Sequence, residues 1–327
     1  MRLSRRSFAA ALPLLALPAR TRAQPATPAQ TVIWSGFPPG GLGDQVARPL
    51  IERMKAKWPG TLIIDSKAGA GGRIAADFVK RAAPDGANLL GAPTSPMTIY
   101  PHTYGKKLSY DPLVDFVPIT PLAAYTFSMT VGPGVPAEVK TVADFVRWAK
   151  ANPDKANYGI PAAGSVPHFI GMMFERATGV PMKSIPYKGG APLLQDLMGG
   201  QVPVAFNVIS EVLVHVKSGK LRSLAVTSPQ RWSPVPDVPT LVELGYKEIA
   251  AVEFLGWYAP AKIAPDFVRR LNAAVGEALG TPEMQDVFAR TGLLPLHESP
   301  EAFAVRVKDE ITRWGPIVKA TGFTPED

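Results

Sequence analysis

The chain has 327 residues, no cysteine and a formal net charge of +8. A disulfide framework, a thiol nucleophile, a zinc–thiolate site, an iron–sulfur cluster and thioether-linked haem are therefore excluded. Arg2, Arg5, Arg6, Arg20 and Arg22 precede Ala23 with no acidic residue among them, and eight less these five leaves about +3 for the rest, too little and too scattered for the clustered basic stripe that nucleic acid requires.

The N-terminus reads Ser4-Arg5-Arg6-Ser7-Phe8, then an apolar run to Pro18, then Thr21-Arg22-Ala23. This is the charged, apolar and small-residue order of an export signal, and the twin arginine points to the twin-arginine route. The apolar run is shorter than the roughly 20 residues that span a bilayer and holds two prolines. The expectation is a signal peptide over 1–23, cleaved near Ala23-Gln24, and a periplasmic mature protein. Without a cysteine to lipidate, that protein has no direct membrane anchor.

Along the mature chain, short apolar or β-branched runs alternate with helical patterns. Thr31-Val32-Ile33-Trp34 precedes a helix predicted over 44–57, whose face is Val46, Ala47, Leu50, Ile51 and Met54. Leu62-Ile63-Ile64 precedes a helix over 74–82. The alternation recurs with strands at 88–90, 127–131, 157–160, 185 and 204–206, and helices at 142–150, 168–177, 191–198 and 211–216. Regular βα alternation predicts mainly parallel sheets flanked by helices. One more strand is expected at 254–259, and then helices only: 266–279, 283–290 and 300–320. These late helices need an existing sheet to cover. The chain is thus expected to leave a first lobe near 121–125, build a second, and return near 250. Lobe one is then 24–123 with 250–327 and lobe two 124–249, with a ligand cleft at the hinge between them.

Four strand-to-helix turns could carry chemistry. Phe37-Pro38-Pro39-Gly40-Gly41-Leu42-Gly43-Asp44 opens the first helix, where glycines admit close approach and helix-start amides favour an anion; the same residues also suit an ordinary tight turn capped by Asp44. Gly69-Ala70-Gly71-Gly72 lacks the G-x-G-x-x-G pattern and reads mainly as a close-packed turn. Ala163, Gly164, Ser165 and His168 open another helix and offer amides and a hydroxyl. They could alternatively form the nucleophile and base of a secreted hydrolase, although no G-x-S-x-G elbow surrounds Ser165. Tyr187 and Asn207 close strands of the second lobe, as cleft residues or as a core-edge tyrosine and a turn asparagine. His102, His168, His215 and His297 have no i, i+3 or i, i+4 spacing, so neither a metal nor another cofactor is expected.

The order of the pieces adds context. Phe37-Pro38-Pro39-Gly40-Gly41 with Asp44, Ala47 and Arg48; Gly69-Ala70-Gly71-Gly72; Ala83-Pro84-Asp85-Gly86; Tyr110-Asp111-Pro112; Ile185-Pro186-Tyr187-Lys188-Gly189; Ser218-Gly219-Lys220-Leu221-Arg222; Pro236-Asp237-Val238-Pro239-Thr240; and Trp314-Gly315 together span nearly the whole mature chain. In this order they resemble the Bug family of extracytoplasmic solute receptors, which serve tripartite tricarboxylate transporters. The resemblance implies a two-lobed α/β periplasmic binding protein, a non-enzymatic monomer, that closes on a small organic acid. A membrane permease or a sensor domain is its implied partner. It implies that Phe37, Pro38, Pro39, Gly40 and Gly41 hold a carboxylate through amides and ordered water, faced by Ala163, Gly164, Ser165 and His168, with hydroxyls added by Thr94 and Ser95.

Two departures bear on the ligand. The family often has Ser or Thr after the Gly-Gly pair, where this chain has Leu42-Gly43, and often Phe-Asp-Asn where this chain has Phe206-Asn207-Val208. Losing that carboxylate argues against a cationic or amino-acid ligand, because a buried ammonium needs an anionic partner. A dicarboxylate or an aromatic carboxylate is favoured instead.

Overall fold

The structure, a computed structural model, describes residues 27–324. The expected signal peptide over 1–23 lies outside the described residues. The first third of the chain forms β1 (Gln30–Ser35), α1 (Leu42–Met54), β2 (Thr61–Ser66), α2 (Arg73–Lys80), β3 (Asn88–Pro93) and the short helices α3 (Thr94–Thr98) and α4 (Tyr100–Thr103). The long strand β4 (Phe116–Val131) follows, then α5 (Val142–Ala151), β5 (Asn157–Ile160), α6 (Val166–Thr178), β6 (Lys183–Pro186), α7 (Gly190–Met198), β7 (Val204–Val208), α8 (Ile209–Lys217) and β8 (Arg222–Val226). The chain ends with β9 (Val252–Pro260), α9 (Pro265–Leu279), α10 (Pro282–Thr291), β10 (Leu294–Pro295) and α11 (Pro300–Thr321).

The principal strand order is β2-β1-β3-β9-β4-β7-β5-β6, with β8 and β10 also pairing with β4. The outer strands pair in parallel, as βα alternation predicts: β2 with β1 and β1 with β3 in one half, β6 with β5 and β5 with β7 in the other. The centre differs from that expectation. β4 carries the chain from one lobe to the other and β9 carries it back, so the two run antiparallel to each other and to their neighbours. The N-terminal part of β4 pairs with β9 from Phe116 to Thr126, and its C-terminal part with β7 from Phe127 to Val131. A single 16-residue strand therefore belongs to both lobes.

Pro118 and Pro121 explain why β4 does not read as one strand in the sequence. Each lacks an N–H for the ladder, and the register with β9 shifts at each. Both irregularities precede the point, between Thr126 and Phe127, where the strand passes from β9 to β7.

α1 buries Val46, Ala47, Leu50, Ile51 and Met54, the face its periodicity predicts. α9 and α11 pack on β4, and Trp314 of α11 also meets Phe169 of α6 at 6.2 Å between ring centroids. The second glycine cluster is a close-packed turn: a Cβ at Gly36 would lie 2.3 Å from the Gly72 Cα. The loops after β1 and β2 interlock there because neither glycine carries a side chain.

Candidate functional site

A cavity of about 70 Å³ lies between the two halves of the sheet. Phe37, Pro38, Gly41 and Leu42 of the β1–α1 turn line it from one side with Gly91, Pro93 and Ser95 from β3 and α3. Pro161, Ala162 and Ser165 before α6, Gly190 and Ala191 of α7, and Val208 and Glu211 close it from the other. Tyr125 and Phe127 of β4, with Leu255 of β9, form its back wall at the lobe crossing. No lysine or arginine is among the lining residues.

Two helices point their starts into this space. Gly41 precedes α1 in an extended conformation and Gly189 precedes α7, and neither start has a side-chain cap. The first amides of both helices thus face the cavity as an anion seat, with that of Leu42 turned to the Glu211 carboxylate. The turn is braced from behind: Ser66 Oγ donates to the Phe37 carbonyl at 2.6 Å, and the Phe37 amide donates to Ser35 Oγ at 3.3 Å.

Of the site residues predicted from sequence, Phe37, Pro38, Gly41, Ser95 and Ser165 line the cavity. Ser95 bridges the lobes, its Oγ accepting from the Val166 amide of α6 at 3.1 Å, and Ser165 Oγ donates to the Ala162 carbonyl at 2.6 Å.

The others have different work. Pro39 and Gly40 are exposed at the outer corner of the turn. Asp44 accepts from the Gly40 amide and pairs with Arg48 at 3.0 Å, so it ties the turn to the helix instead of facing a ligand. Thr94 is fully buried and pegs α3 to β9: its hydroxyl donates to the Phe254 carbonyl and accepts from the Phe254 amide, both at 2.9 Å. Ala163 is exposed, and its carbonyl accepts from the Tyr104 hydroxyl at 3.2 Å. Gly164, with φ of +66°, donates its amide to His168 Nδ1 at 3.0 Å. The His168 ring packs on Phe323, and burial lowers its pKa to about 4, so it is neutral at physiological pH. Ser165 and His168 therefore have separate partners, and neither hydrogen bond joins them as nucleophile and base.

Tyr187 lies in a neighbouring recess with Arg73, Tyr104 and Lys188, where its hydroxyl donates to Asp196 at 2.8 Å. Burial, then the bond to Asp196, raises the phenol to about 12. Asn207 is inside β7, opposite Ser128, because the strand continues to Val208; it is fully buried and outside the cavity lining.

Sequence reasoning missed Glu211. It sits in the first turn of α8, where burial pushes its carboxyl up to about 7 and the Leu42 amide of α1 offsets part of that rise. Its Oε1 lies 3.4 Å from where a Gly41 Cβ would stand, and its Oε2 is buried without a hydrogen-bond partner. The signal was present: Glu211 is the lone charged residue in the apolar run 204–214. The loss of an acidic residue near 207 therefore does not leave the cavity without a carboxylate.

Two α/β lobes joined by paired crossing strands, with a cavity at the crossing faced by helix starts from both sides, define a periplasmic binding protein. Residues 46–323 match the tripartite tricarboxylate transporter family receptor. The chain belongs to that family of solute-binding receptors. Protein BugT of Bordetella pertussis is 32% identical over 308 residues, covering 94% of this chain and 93% of the relative. The structure of R. palustris Rpa4515 with adipate superposes with a TM-score of 0.85 at 30% identity, covering 91% of this chain and 98% of that one. MatC from Rhodopseudomonas palustris with bound malate gives a TM-score of 0.82 at 28% identity, covering 88% and 98%.

Proposed function

We propose that this protein is a periplasmic receptor that captures a small dicarboxylate or aromatic carboxylate between lobe one (24–123 and 250–327) and lobe two (124–249), without turnover. The observation that carries the reading is the pair of uncapped helix starts, α1 at Gly41 and α7 at Gly190, facing one cavity that no lysine or arginine lines. A carboxylate there is held by backbone amides and bridging water. The adipate and malate in the two related structures support the same ligand class. The apolar wall of Phe37, Leu42, Phe127 and Leu255 suits a carbon chain or ring between polar ends.

Closure follows from the same geometry: a ligand touching helix starts in both lobes makes its full set of contacts only when they meet, so binding favours the closed population. The hinge is β4 at its proline bulges together with β9. The receptor acts as a monomer and delivers its acid to a membrane permease or a sensor domain. It reaches the periplasm through the twin-arginine signal at 1–23. Among the described residues no helix is long and apolar enough to cross a membrane.

The test is a thermal-shift screen of mono-, di- and aromatic carboxylic acids at pH 6, followed by calorimetry, since a ligand of the native state raises its stability by mass action. An acid that stabilises the protein reversibly and is recovered unchanged is the expected result. Stabilisation by none of them, or consumption of the acid, contradicts the reading.

A further inference from the structure

The acid-binding cavity already contains one carboxylate of the protein's own. Glu211 reaches from the first turn of α8 into the gap between the starts of α1 and α7. A Cβ at Gly190 would overlap its Oε2 at 1.9 Å, so the carboxylate lies directly over the first residue of α7. On its other side it faces Gly41 and the Leu42 amide. This is the seat that the proposed function gives to the ligand's carboxylate, and Oε2 has no partner in it.

We propose that Glu211 selects the protonation state in which the ligand is bound: an acid enters the seat only together with one proton, shared between its carboxyl group and Glu211. The inference rests on the acid-binding reading above. Two carboxylates a hydrogen bond apart in a water-poor cavity cannot both stay ionised, so the complex takes one proton from solvent and holds it between the two oxygens as an O–H···O⁻ bond. No covalent bond forms or breaks.

Among the described residues, no cation is placed to neutralise Glu211. Burial raises the Glu211 carboxyl to about 7, and the only opposing influence is the Leu42 amide. Among the elements packed against α8, β4 presents the Tyr125 phenol, itself pushed up by burial, then by Glu253, and less by Glu211. α7 carries Asp196, bonded to Tyr187, and β8 carries Arg222, whose guanidinium donates to the Val135, Pro136 and Val139 carbonyls. α10 carries Glu283, Asp286 and Arg290, with Glu283 paired to Arg53 of α1. Asp44 of α1 is taken by Arg48, and α8 itself carries His215 and Lys217 a turn or more further on.

The experiment is calorimetry of the mature protein with malate and adipate from pH 6 to 9, each in phosphate and in Tris, whose ionisation enthalpies differ. The wild type is expected to take up most of one proton per ligand at pH 8 and to lose affinity about tenfold per pH unit above roughly 7.5, as one-proton linkage requires. E211Q, which keeps the shape and carries a permanent donor, is expected to bind both acids with an affinity that does not vary between pH 7 and 9 and without proton uptake. Acid binding by the wild type without proton uptake and with a flat pH profile overturns the inference and leaves the receptor reading standing. Tighter binding as pH rises, with 4-aminobutyrate preferred over the diacids and lost in E211Q, overturns it in favour of Glu211 as an ammonium counter-ion. If neither acid binds at pH 6, where the seat is protonated, the receptor reading for these acids fails and this inference with it. The wild-type proton count decides the question even if E211Q does not fold.

Discussion

Replacing Glu253 by glutamine should stabilise the protein at and above neutral pH, and by an amount that grows with pH. Glu253 lies on the returning strand β9 at the lobe crossing, 1% exposed, with no hydrogen-bond partner for either carboxyl oxygen. Its nearest cation, Arg313 Nη2, is 3.7 Å away and is more closely engaged by Glu310 at 2.6 Å. Burial, with a further push from Glu310, raises the Glu253 carboxyl from 4.5 to about 8, and Arg313 offsets only part of this. The folded protein therefore binds this proton more tightly than the unfolded chain. The stability it contributes is fully present below about 4.5 and is lost as pH rises through about 8. At ~1.4 kcal/mol per tenfold, that interval is worth a ceiling on the order of 5 kcal/mol. Glutamine removes the charge at equal volume but leaves a buried amide short of partners, at about 1–3 kcal/mol.

The net expectation is a gain of about 2–4 kcal/mol at pH 9, read as a shift in the urea midpoint, and a loss of about 1–3 kcal/mol at pH 4, where the wild-type carboxyl is neutral and only the amide penalty remains. Glu211 titrates in the same direction up to about 7 in both proteins, so the comparison between pH 7 and 9 isolates Glu253. Parallel pH dependences of wild type and E253Q over that interval would refute the account, showing that Arg313 or water already neutralises the buried charge. Arg313→Ala supplies the converse: it should steepen the wild-type loss of stability toward high pH.

The remaining predictions concern binding, closure and export. Gly41→Val should abolish acid binding in calorimetry with the fold intact, because its φ of −79° is open to any residue while its Cβ enters the cavity toward Glu211. Ser165→Ala should cost at most about 0.5–1.5 kcal/mol of affinity, since its hydroxyl already donates to the Ala162 carbonyl, and Arg48→Ala, which removes a half-exposed pair with Asp44 outside the cavity, should leave affinity unchanged; loss of binding in R48A with normal binding in G41V would replace the amide cradle by an ion pair. Small-angle scattering should give a smaller radius of gyration at ligand saturation, and an equal radius, from a free protein shown to be open, would count against hinge closure. Export should fail when Arg5 and Arg6 are both changed to lysine, with intact mass locating the cut near Gln24; undiminished export would remove the twin-arginine assignment.

The fold was largely legible because its helices carry their own evidence. Each of the longer helices was placed to within a few residues by periodic apolar positions, and the late helices were correctly read as cover for an earlier sheet. β4 was not legible as one strand, since Pro118 and Pro121 are locally strand-breaking and are tolerated only at bulges created by pairing with β9, more than 120 residues later. β8 and β10 were missed for a related reason. Arg222–Val226 alternates too weakly to announce itself, and Leu294–Pro295 is a strand only by virtue of lying beside Ala123 and Ala124.

The site divides along the same line. The glycine-rich turn after β1 and the small-residue loop before α6 are written locally, and both line the cavity. Asp44 and His168 belong to those segments and Thr94 to the turn after β3, yet the tertiary structure turns each of them to bracing a loop or a strand, which a motif does not reveal. Glu211 is the opposite case, a residue in no motif that α8 delivers into the cavity. A family carboxylate missing near position 207 looked like a loss of negative charge, but Glu211 in the first turn of α8 brings a carboxylate into the cavity, which Asn207, inside β7, does not line. What the cavity demands of a ligand is therefore set by the charge that arrives there, by whatever route the backbone takes. In this protein a carboxylate with one unpartnered oxygen stands between two helix starts, so on the proposal above a bound acid joins the protein's own acid in one seat, and a shared proton is the condition for both to stay.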